Sequence, residues 1–486
     1  MGGLSAGFTL DEATSSIGFG YFHVIAVFFA GLGWASSAMG MTLLSVIGPP
    51  IKSEWGLSSS EESMLTSVVF SGTILGAYVW GYISDAYGRR MSCIGSMICI
   101  GGALFFVALS PGYVYLLPLL CLFGFGTGGV HVFASWFLEF APTSSRGSWT
   151  AAISLFYSVG NILAASLAWV IMPRLGWRWL TVSSCLTPLS VLFIGCFIPE
   201  SPRYLCMKGK TSEAYKILEE VALFNKTRVP PGVLIFSPLI QKDEEHSSSE
   251  KGPLLSSIGK NSGNSRSPFS SVLVLFSPTL LRTTLLIWIL CFANVFIYYG
   301  IILLTSELSV GQNRCGPGLN VQENNQQDAT SYGNIFVNSL AEMPSAFIAV
   351  AIVDRLGRKL SIVVTSTLSF FLFLPLVWRQ SDITTTVLLF GTRLFFAADM
   401  TILSVYGSEV YPTSVRSTGS GIAGSIGNSG GVVCPLVAIV LVEGCHQGAA
   451  IFLYEVVILL MIVSVLLIPV ETSGKELRDV LPSDEE

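Results

Sequence analysis

What this sequence lacks is charge. Only 12% of its 486 residues are Asp, Glu, Lys or Arg, against 51% that are hydrophobic. Soluble domains carry roughly twice that share of charge. The deficit is uneven, because residues 200–271 hold 18 of the 57 charged side chains and the other 414 residues hold 39. A chain this poor in charge cannot coat a soluble globule, and one this apolar is not a disordered tail. It also lacks a basic stripe: the formal net charge is −5, which argues against nucleic acid as a partner. There is no metal-ligand spacing, no phosphate-cradling glycine loop with its lysine and no nucleophile–base pair. Neither a cofactor nor an enzymatic activity is therefore expected. Residues 21–47 are too long and too poor in basic flanking residues for a cleavable signal, and Ala6 breaks the myristoylation pattern that Met1-Gly2 would open.

What the sequence has instead is long apolar runs. A helix crossing hydrocarbon needs about 20 mostly apolar residues, since it must satisfy its own backbone. Twelve such spans are expected, at 21–47, 63–83, 91–109, 113–138, 149–172, 180–198, 283–305, 332–353, 360–378, 384–406, 418–442 and 448–468. The fold class is thus an all-α membrane protein of twelve transmembrane helices. Many of the 48 glycines fall inside the spans, where small residues let helices pack closely. With both termini cytosolic, the inner segments carry twenty Lys and Arg and the outer loops five, the sign of the positive-inside rule.

The chain divides into a cytosolic N-terminus (1–20), a six-helix bundle (21–198), a linker (199–282), a second six-helix bundle (283–468) and a cytosolic tail (469–486). Within the linker, 211–224 reads as a short amphipathic helix with Ala214, Ile217, Leu218 and Val221 on one face, and 243–270 as a flexible tether. Asn225-Lys226-Thr227 has the form of a glycosylation site, but on the cytosolic side it should stay unmodified.

The two bundles echo each other. Asp85-Ala86-Tyr87-Gly88-Arg89-Arg90 recurs as Asp354-Arg355-Leu356-Gly357-Arg358-Lys359. Glu139-Phe140-Ala141-Pro142 followed by Arg146 recurs as Glu409-Val410-Tyr411-Pro412 followed by Arg416. Pro199-Glu200-Ser201 recurs as Pro469-Val470-Glu471-Thr472-Ser473. All three repeat at an offset of 269 to 271 residues, each at the same kind of helix end, which indicates two parallel six-helix repeats. A glycine turn with arginines can bond helix-end carbonyls and nearby carboxylates. Asp85, Arg89, Arg90, Glu139, Arg146, Glu200, Arg203, Asp354, Arg358, Glu409 and Arg416 are accordingly the expected gating charges.

These motifs carry a resemblance. With Pro199-Glu200-Ser201-Pro202-Arg203-Tyr204-Leu205 and Glu471-Thr472-Ser473-Gly474-Lys475, the chain resembles the sugar-porter and organic-ion branches of the major facilitator superfamily over essentially its whole length. Gly18-Phe19-Gly20, Ala134-Ser135-Trp136-Phe137-Leu138-Glu139-Phe140, Gly176-Trp177-Arg178-Trp179-Leu180, Tyr298-Tyr299-Gly300 and Gly444-Cys445-His446-Gln447 make it similar to the plant organic cation/carnitine and niacin transporter branch, relatives of synaptic-vesicle glycoproteins. The resemblance implies a transporter that moves a small organic ion by alternating access: nicotinate- or trigonelline-like, or a cation such as carnitine or choline. A proton is the implied coupling ion, the plasma membrane the implied location, and a monomer in the bilayer the implied state. A non-transporting sensor or vesicle protein and a sugar or polyol facilitator are the alternatives. Ser37 and Gly40 stand where the branch carries Glu, and Leu120 and Asn428 where it carries Arg.

Charge inside the spans is confined to the second bundle: Glu342, Arg393, Asp399 and Glu455. Such groups are costly in hydrocarbon and are usually retained for function. Glu342 shares a helical stripe with Asn334 and Asn338, and Arg393 could hold an anionic group bidentately. Asp399 is a candidate cation or proton site, whereas Glu455 reads as structural. Aromatic and polar residues add to the expected lining: Trp34, Trp136, Asn161, Asn294, Tyr298, Tyr299 and Asn428 complete the candidate substrate site, with Ser154 and Ser158 in the Asn161 stripe. Aromatic faces suit a quaternary or pyridinium cation, or a flat neutral ring. His23 and His131 read as satisfied histidines rather than proton switches. Cys315 and Cys445 fall in outside loops and are expected to form a disulfide, while the other cysteines behave as small apolar residues.

Overall fold

The computed structural model describes residues 7–142, 146–235, 275–311, 325–411, 416–442 and 444–472. The linker tether at 243–270 lies outside the described residues. Among the described residues, twelve helices are long and apolar enough to cross a bilayer. Spans 1 to 6 are Tyr21–Trp55, Ser59–Tyr87, Arg89–Ala108, Tyr113–Leu138, Ala152–Leu175 and Trp177–Gly195. Spans 7 to 12 are Leu280–Leu308, Tyr332–Val353, Arg358–Val377, Asp382–Gly407, Thr418–Leu441 and Gln447–Leu467. The protein is therefore the multi-pass, all-α membrane protein that its composition requires.

Span 1 runs past its expected end, through Pro49 and Pro50 to Trp55. Its stop is Gly56, left-handed at φ 64°, and Ser58 with Glu61 forms the capping box that starts span 2. The helix ends at the Gly56 cap, whose N–H donates to the Lys52 carbonyl, and not at the prolines. Close helix approach follows from glycine: a Cβ on Gly124 of span 4 would lie 2.0 Å from the carbonyl oxygen of Val69 in span 2.

Two spans are interrupted where polar chemistry sits. Span 4 is two helices, Tyr113–Thr127 and His131–Leu138, and span 8 is likewise Asn325–Ser339 and Glu342–Leu356. Each break sets an ionisable side chain at the first position of a new helix.

The N-terminal segment is tied to the linker. Helix Leu10–Ile17 packs beside helix Thr211–Phe224, and Gly7–Phe8 pairs in parallel with Val233–Leu234. The linker helix buries Ala214, Leu218, Val221 and Ala222, the amphipathic face expected of 211–224 with Ile217 only half-buried. Asn225 accepts from the Phe22 backbone N–H at 2.9 Å and its Nδ2 meets His23 Nδ1 at 3.2 Å, so its amide is engaged in packing. His23 Nε2 lies 3.1 Å from the Phe140 carbonyl, which makes it the satisfied histidine expected.

The two six-helix halves meet along spans 2 and 11 and along spans 5 and 8. Ser67 donates to the Val432 carbonyl at 2.7 Å, Gly431 lies against the Phe70 ring, and Trp169 stacks on Phe336 at 5.4 Å. These contacts lie toward the membrane face opposite the repeated motifs.

Candidate substrate site and gate

Glu342 is the hub of a polar cluster that joins the halves. Its Oε1 pairs with Arg393 Nη2 at 2.6 Å and accepts from Arg393 Nε at 3.1 Å. Tyr298 donates to the same oxygen at 2.9 Å. Its Oε2 accepts from Asn161 Nδ2 of span 5, and Thr42 of span 1 in turn donates to Asn161 Oδ1 at 2.7 Å. Ser158 reaches the Glu342 carbonyl at 3.4 Å. Beside this hub, the hydroxyls of Tyr157 and Tyr299 meet at 2.8 Å across the two halves, and Phe70 packs edge-on against Tyr299 at 4.7 Å.

Arg393 and Glu342 are 1% and 2% exposed at their side chains. A buried pair of this kind repays desolvation only if the remaining hydrogen-bond capacity is filled. Here Tyr298 and Asn161 fill it for the carboxylate. Glu342 also opens its helix, where the N-terminal dipole favours negative charge.

Of the candidate lining residues, Asn161, Tyr298, Tyr299, Glu342 and Arg393 come together in this cluster. Trp34 is half-buried one layer away, edge-on to Tyr157 at 6.4 Å. Asn294, one turn from Tyr298, is fully buried with neither amide atom bonded, and Asn338, one turn from Glu342, is the same. Asn428 is half-buried on span 11. Thr42 and Tyr157 belong to the cluster and are not among the expected residues. Nothing in their local sequence distinguishes them from other Thr and Tyr in spans.

Three expectations need correction. Trp136 does not line a cavity: its ring is fully buried between Phe29 and Phe140, and its indole N–H donates to the Pro199 carbonyl at 3.1 Å. Asp399 is turned away from the cluster, its carboxylate accepting from Thr365 and Ser366 of span 9. His131 is exposed rather than satisfied, touching Trp34 edge-on at 5.6 Å. Glu455 is 3% exposed, with neither carboxylate oxygen bonded.

The repeated motifs build two matching networks at one face of the membrane. In the first half, Arg89 bonds Asp85 and, through Nε at 3.2 Å, Glu139. The backbone N–H groups of Arg89 and Arg90 donate to Glu200 at 2.9 and 3.1 Å, and Ser201 donates to Glu139. In the second half, Arg358 binds both oxygens of Glu409 at 3.0 Å each, Arg358 and Lys359 donate their backbone N–H groups to Glu471 at 3.1 Å, and Thr472 donates to Glu409 at 2.6 Å. Gly88 is required in this turn. Its φ is +116°, and a Cβ there would lie 2.3 Å from Glu200 Oε2.

The symmetry extends to Trp136. As its indole donates to the Pro199 carbonyl, so Tyr406 donates to the Val470 carbonyl at 2.6 Å. These residues brace the segment that carries the network carboxylate. Arg90 bonds the Gly195 and Cys196 carbonyls as expected, but Arg203 turns outward to Asp11 at 3.8 Å and serves the N-terminal helix. Glu200 is half-buried, and its partial burial pushes its carboxyl above the usual range despite the three backbone donors that oppose the shift. The side chains of Arg146, Asp354 and Arg416 lie outside the described residues.

At the opposite face, the Trp177-Arg178 pair holds the end of span 1. Trp177 Nε1 and Arg178 Nη1 reach Glu54 at 2.7 and 2.8 Å. Cys445 is disulfide-bonded, and Cys315 lies outside the described residues.

Comparisons with known proteins agree with this architecture. The family described as "Sugar (and other) transporter" matches residues 19–481. The chain is 45% identical to organic cation/carnitine transporter 7 of Arabidopsis thaliana, over 99% of this chain and 97% of the other. It is 33% identical to the synaptic vesicle 2-related protein of Xenopus laevis, over 97% and 82%. Among solved structures, the partially occluded inward-open xylose transporter XylE of E. coli superposes with a TM-score of 0.67 at 17% identity, covering 94% of this chain and 99% of the other.

Proposed function

The chain belongs to the sugar (and other) transporter family and is a membrane transporter of the major facilitator kind, and from that premise we propose that it moves a small organic ion by alternating access. The Glu342–Arg393 pair at the junction of the halves carries this reading. It offers an acid and a base side by side, flanked by the hydroxyls of Tyr298, Tyr299 and Tyr157 and by the amide of Asn161. A substrate group that takes either partner frees the other. Because Asn161 and Glu342 lie in different halves, the substrate that opens their bond also loosens the contact about which the halves rock.

Ring-bearing and quaternary ions such as nicotinate, trigonelline, choline and carnitine suit a pocket of aromatic faces around one ion pair. The Arabidopsis relative named for organic cations and carnitine supports the same class. Glu342 is the group on which a coupled proton would ride, released from Arg393 as the proton arrives. The networks that recur in both halves support transport over a sensing role, since each braces one face of its half as a unit that can rock against the other. The protein is read as a plasma-membrane monomer with both termini cytosolic. Cys315 and Cys445 are read as an outside disulfide.

The test is uptake into proteoliposomes at two external pH values, with and without a proton ionophore, preceded by a thermal-shift screen against nicotinate, trigonelline, choline, carnitine and sugars. Stabilisation by an organic ion and pH-sensitive uptake are expected. Stabilisation by sugars alone would replace the substrate class, and pH-independent uptake would remove the coupling.

A further inference from the structure

His131 has no place in the cluster or in the gate. It opens the second helix of span 4, after the interruption at Gly128 to Val130, and its side chain is exposed within a membrane span. Ser135, one turn on, is exposed on the same face.

This face looks toward the junction of the halves rather than toward lipid. The His131 ring meets Trp34 of span 1 at 5.6 Å, and Trp34 meets Tyr157 of span 5 at 6.4 Å. Tyr157 then bonds Tyr299 of the other half. His131 therefore stands at the head of an aromatic path that ends beside Glu342 and Arg393.

A second observation marks the same place. The Trp34 indole N–H is buried and has no hydrogen-bond partner. An orphaned donor is costly, and such groups in native structures call for an explanation.

The charged groups on the elements packed against this helix are bonded elsewhere or lie at the far ends of their spans, Arg174 of span 5 among the latter. From span 1, His23 is bonded to Phe140 and Asn225. From spans 2 and 3, Asp85, Arg89 and Arg90 belong to the gate network, with Glu139 at the far end of His131's own helix. From span 5, Tyr157 is bonded to Tyr299, and the Arg146 side chain lies outside the described residues. The remaining charges of spans 1 and 2, Lys52, Glu54, Glu61 and Glu62, lie at the opposite ends of those helices.

We propose that His131 and Trp34 form an anion subsite on the path to the central cluster, loaded by a proton. With the imidazole protonated, its ring N–H and the indole N–H donate together to one carboxylate of the substrate. Both free groups are donors, and an imidazolium repels a cation, so the geometry selects a carboxylate end rather than a quaternary one. The proton is bound to the imidazole before the carboxylate arrives, so the loaded subsite is neutral overall. This assignment rests on the transport reading above and deepens it by naming the substrate's anionic end as the part read by the first half.

The experiment uses the full-length protein in nanodiscs, with nicotinate and choline as probes at pH 7.5 and 5.5. A proton must load the imidazole before the carboxylate binds, so the wild type should bind nicotinate at least tenfold more tightly at the lower pH and choline no more tightly. His131→Gln should flatten the nicotinate dependence. Trp34→Phe keeps the ring but removes the N–H, so it should weaken nicotinate several-fold at both pH values while keeping the slope. Unchanged melting temperatures would show that both variants fold. An unaltered nicotinate slope in His131→Gln overturns the proposal. So does choline binding without nicotinate binding in the wild type, a result that leaves the transport reading standing. If neither the probes nor any other small ion binds or is taken up, the transport reading falls and this one with it.

Discussion

Asn161 of span 5 donates its amide to the carboxylate of Glu342 in span 8, so one hydrogen bond joins the two halves at the residue that also neutralises Arg393. The same carboxylate thus balances charge within one half and fastens it to the other.

Removing that carboxylate should be costly. Glu342→Ala leaves Arg393 buried and uncompensated, a change worth about 3–5 kcal/mol in comparable pairs. The double variant Glu342→Leu with Arg393→Leu should recover most of the melting temperature and none of the uptake. Thermal melts in detergent and uptake in proteoliposomes check both, and recovery of uptake in the double variant would remove the pair from the mechanism.

Tyr298→Phe removes one hydroxyl from the Glu342 carboxylate. A hydrogen bond to a charged group contributes about 1.5–3 kcal/mol. The expected result is weaker ligand binding by one to two orders of magnitude with the fold retained, measured by titration calorimetry.

Arg358 grips Glu409 through two nitrogens, which an ammonium cannot reproduce. Arg358→Lys should therefore slow transport nearly as much as Arg358→Ala while keeping the positive charge. Full activity in the Lys variant would show that charge alone matters at this site.

Trp136→Ala should lower stability by about 3–5 kcal/mol, as large-to-small core changes do, and leave ligand preference unchanged. The reason is its position between Phe29 and Phe140 under the Pro199 carbonyl. A changed ranking of ligands in the thermal-shift screen would return Trp136 to the substrate site.

Glu200 is pushed upward by burial, so its proton binds the folded protein more tightly than the unfolded chain. Its protonation stabilises the fold below the ordinary carboxylate range, and that contribution is lost as pH rises through the raised value. Glu200→Gln should remove this part of the pH dependence, seen as a smaller fall in melting temperature between pH 4 and pH 7 than in the wild type.

The paired charge networks were largely legible because they are written in local motifs and repeated at a constant offset. Arg89 with Glu139 and Arg358 with Glu409 are near neighbours in space in both halves for the same reason that they repeat in sequence. The central cluster was legible only in its ionisable members, since a charge in a span is conspicuous and a Thr or Tyr is not. Trp136 and Asp399 show the limit of the same approach. Residue type and depth in a span say that a side chain is special, but its rotation about the helix axis depends on which neighbour the helix packs against. Asp399 faces span 9, and Trp136 faces the carbonyl of Pro199.

Scarce charge, twelve apolar runs and three motifs recurring at one offset were enough to establish a two-fold repeated membrane bundle with its networks at one face. Hydrocarbon admits few other arrangements of such a chain. Which polar residues meet at the centre was a matter of packing. Asn161 reaches Glu342, and Tyr157 reaches Tyr299, from helices more than a hundred residues apart in the chain. No local pattern encodes that meeting. It arises when glycine-lined helices close on one another and bring two separate stripes into a single buried volume, where each polar atom must find a partner or wait for one.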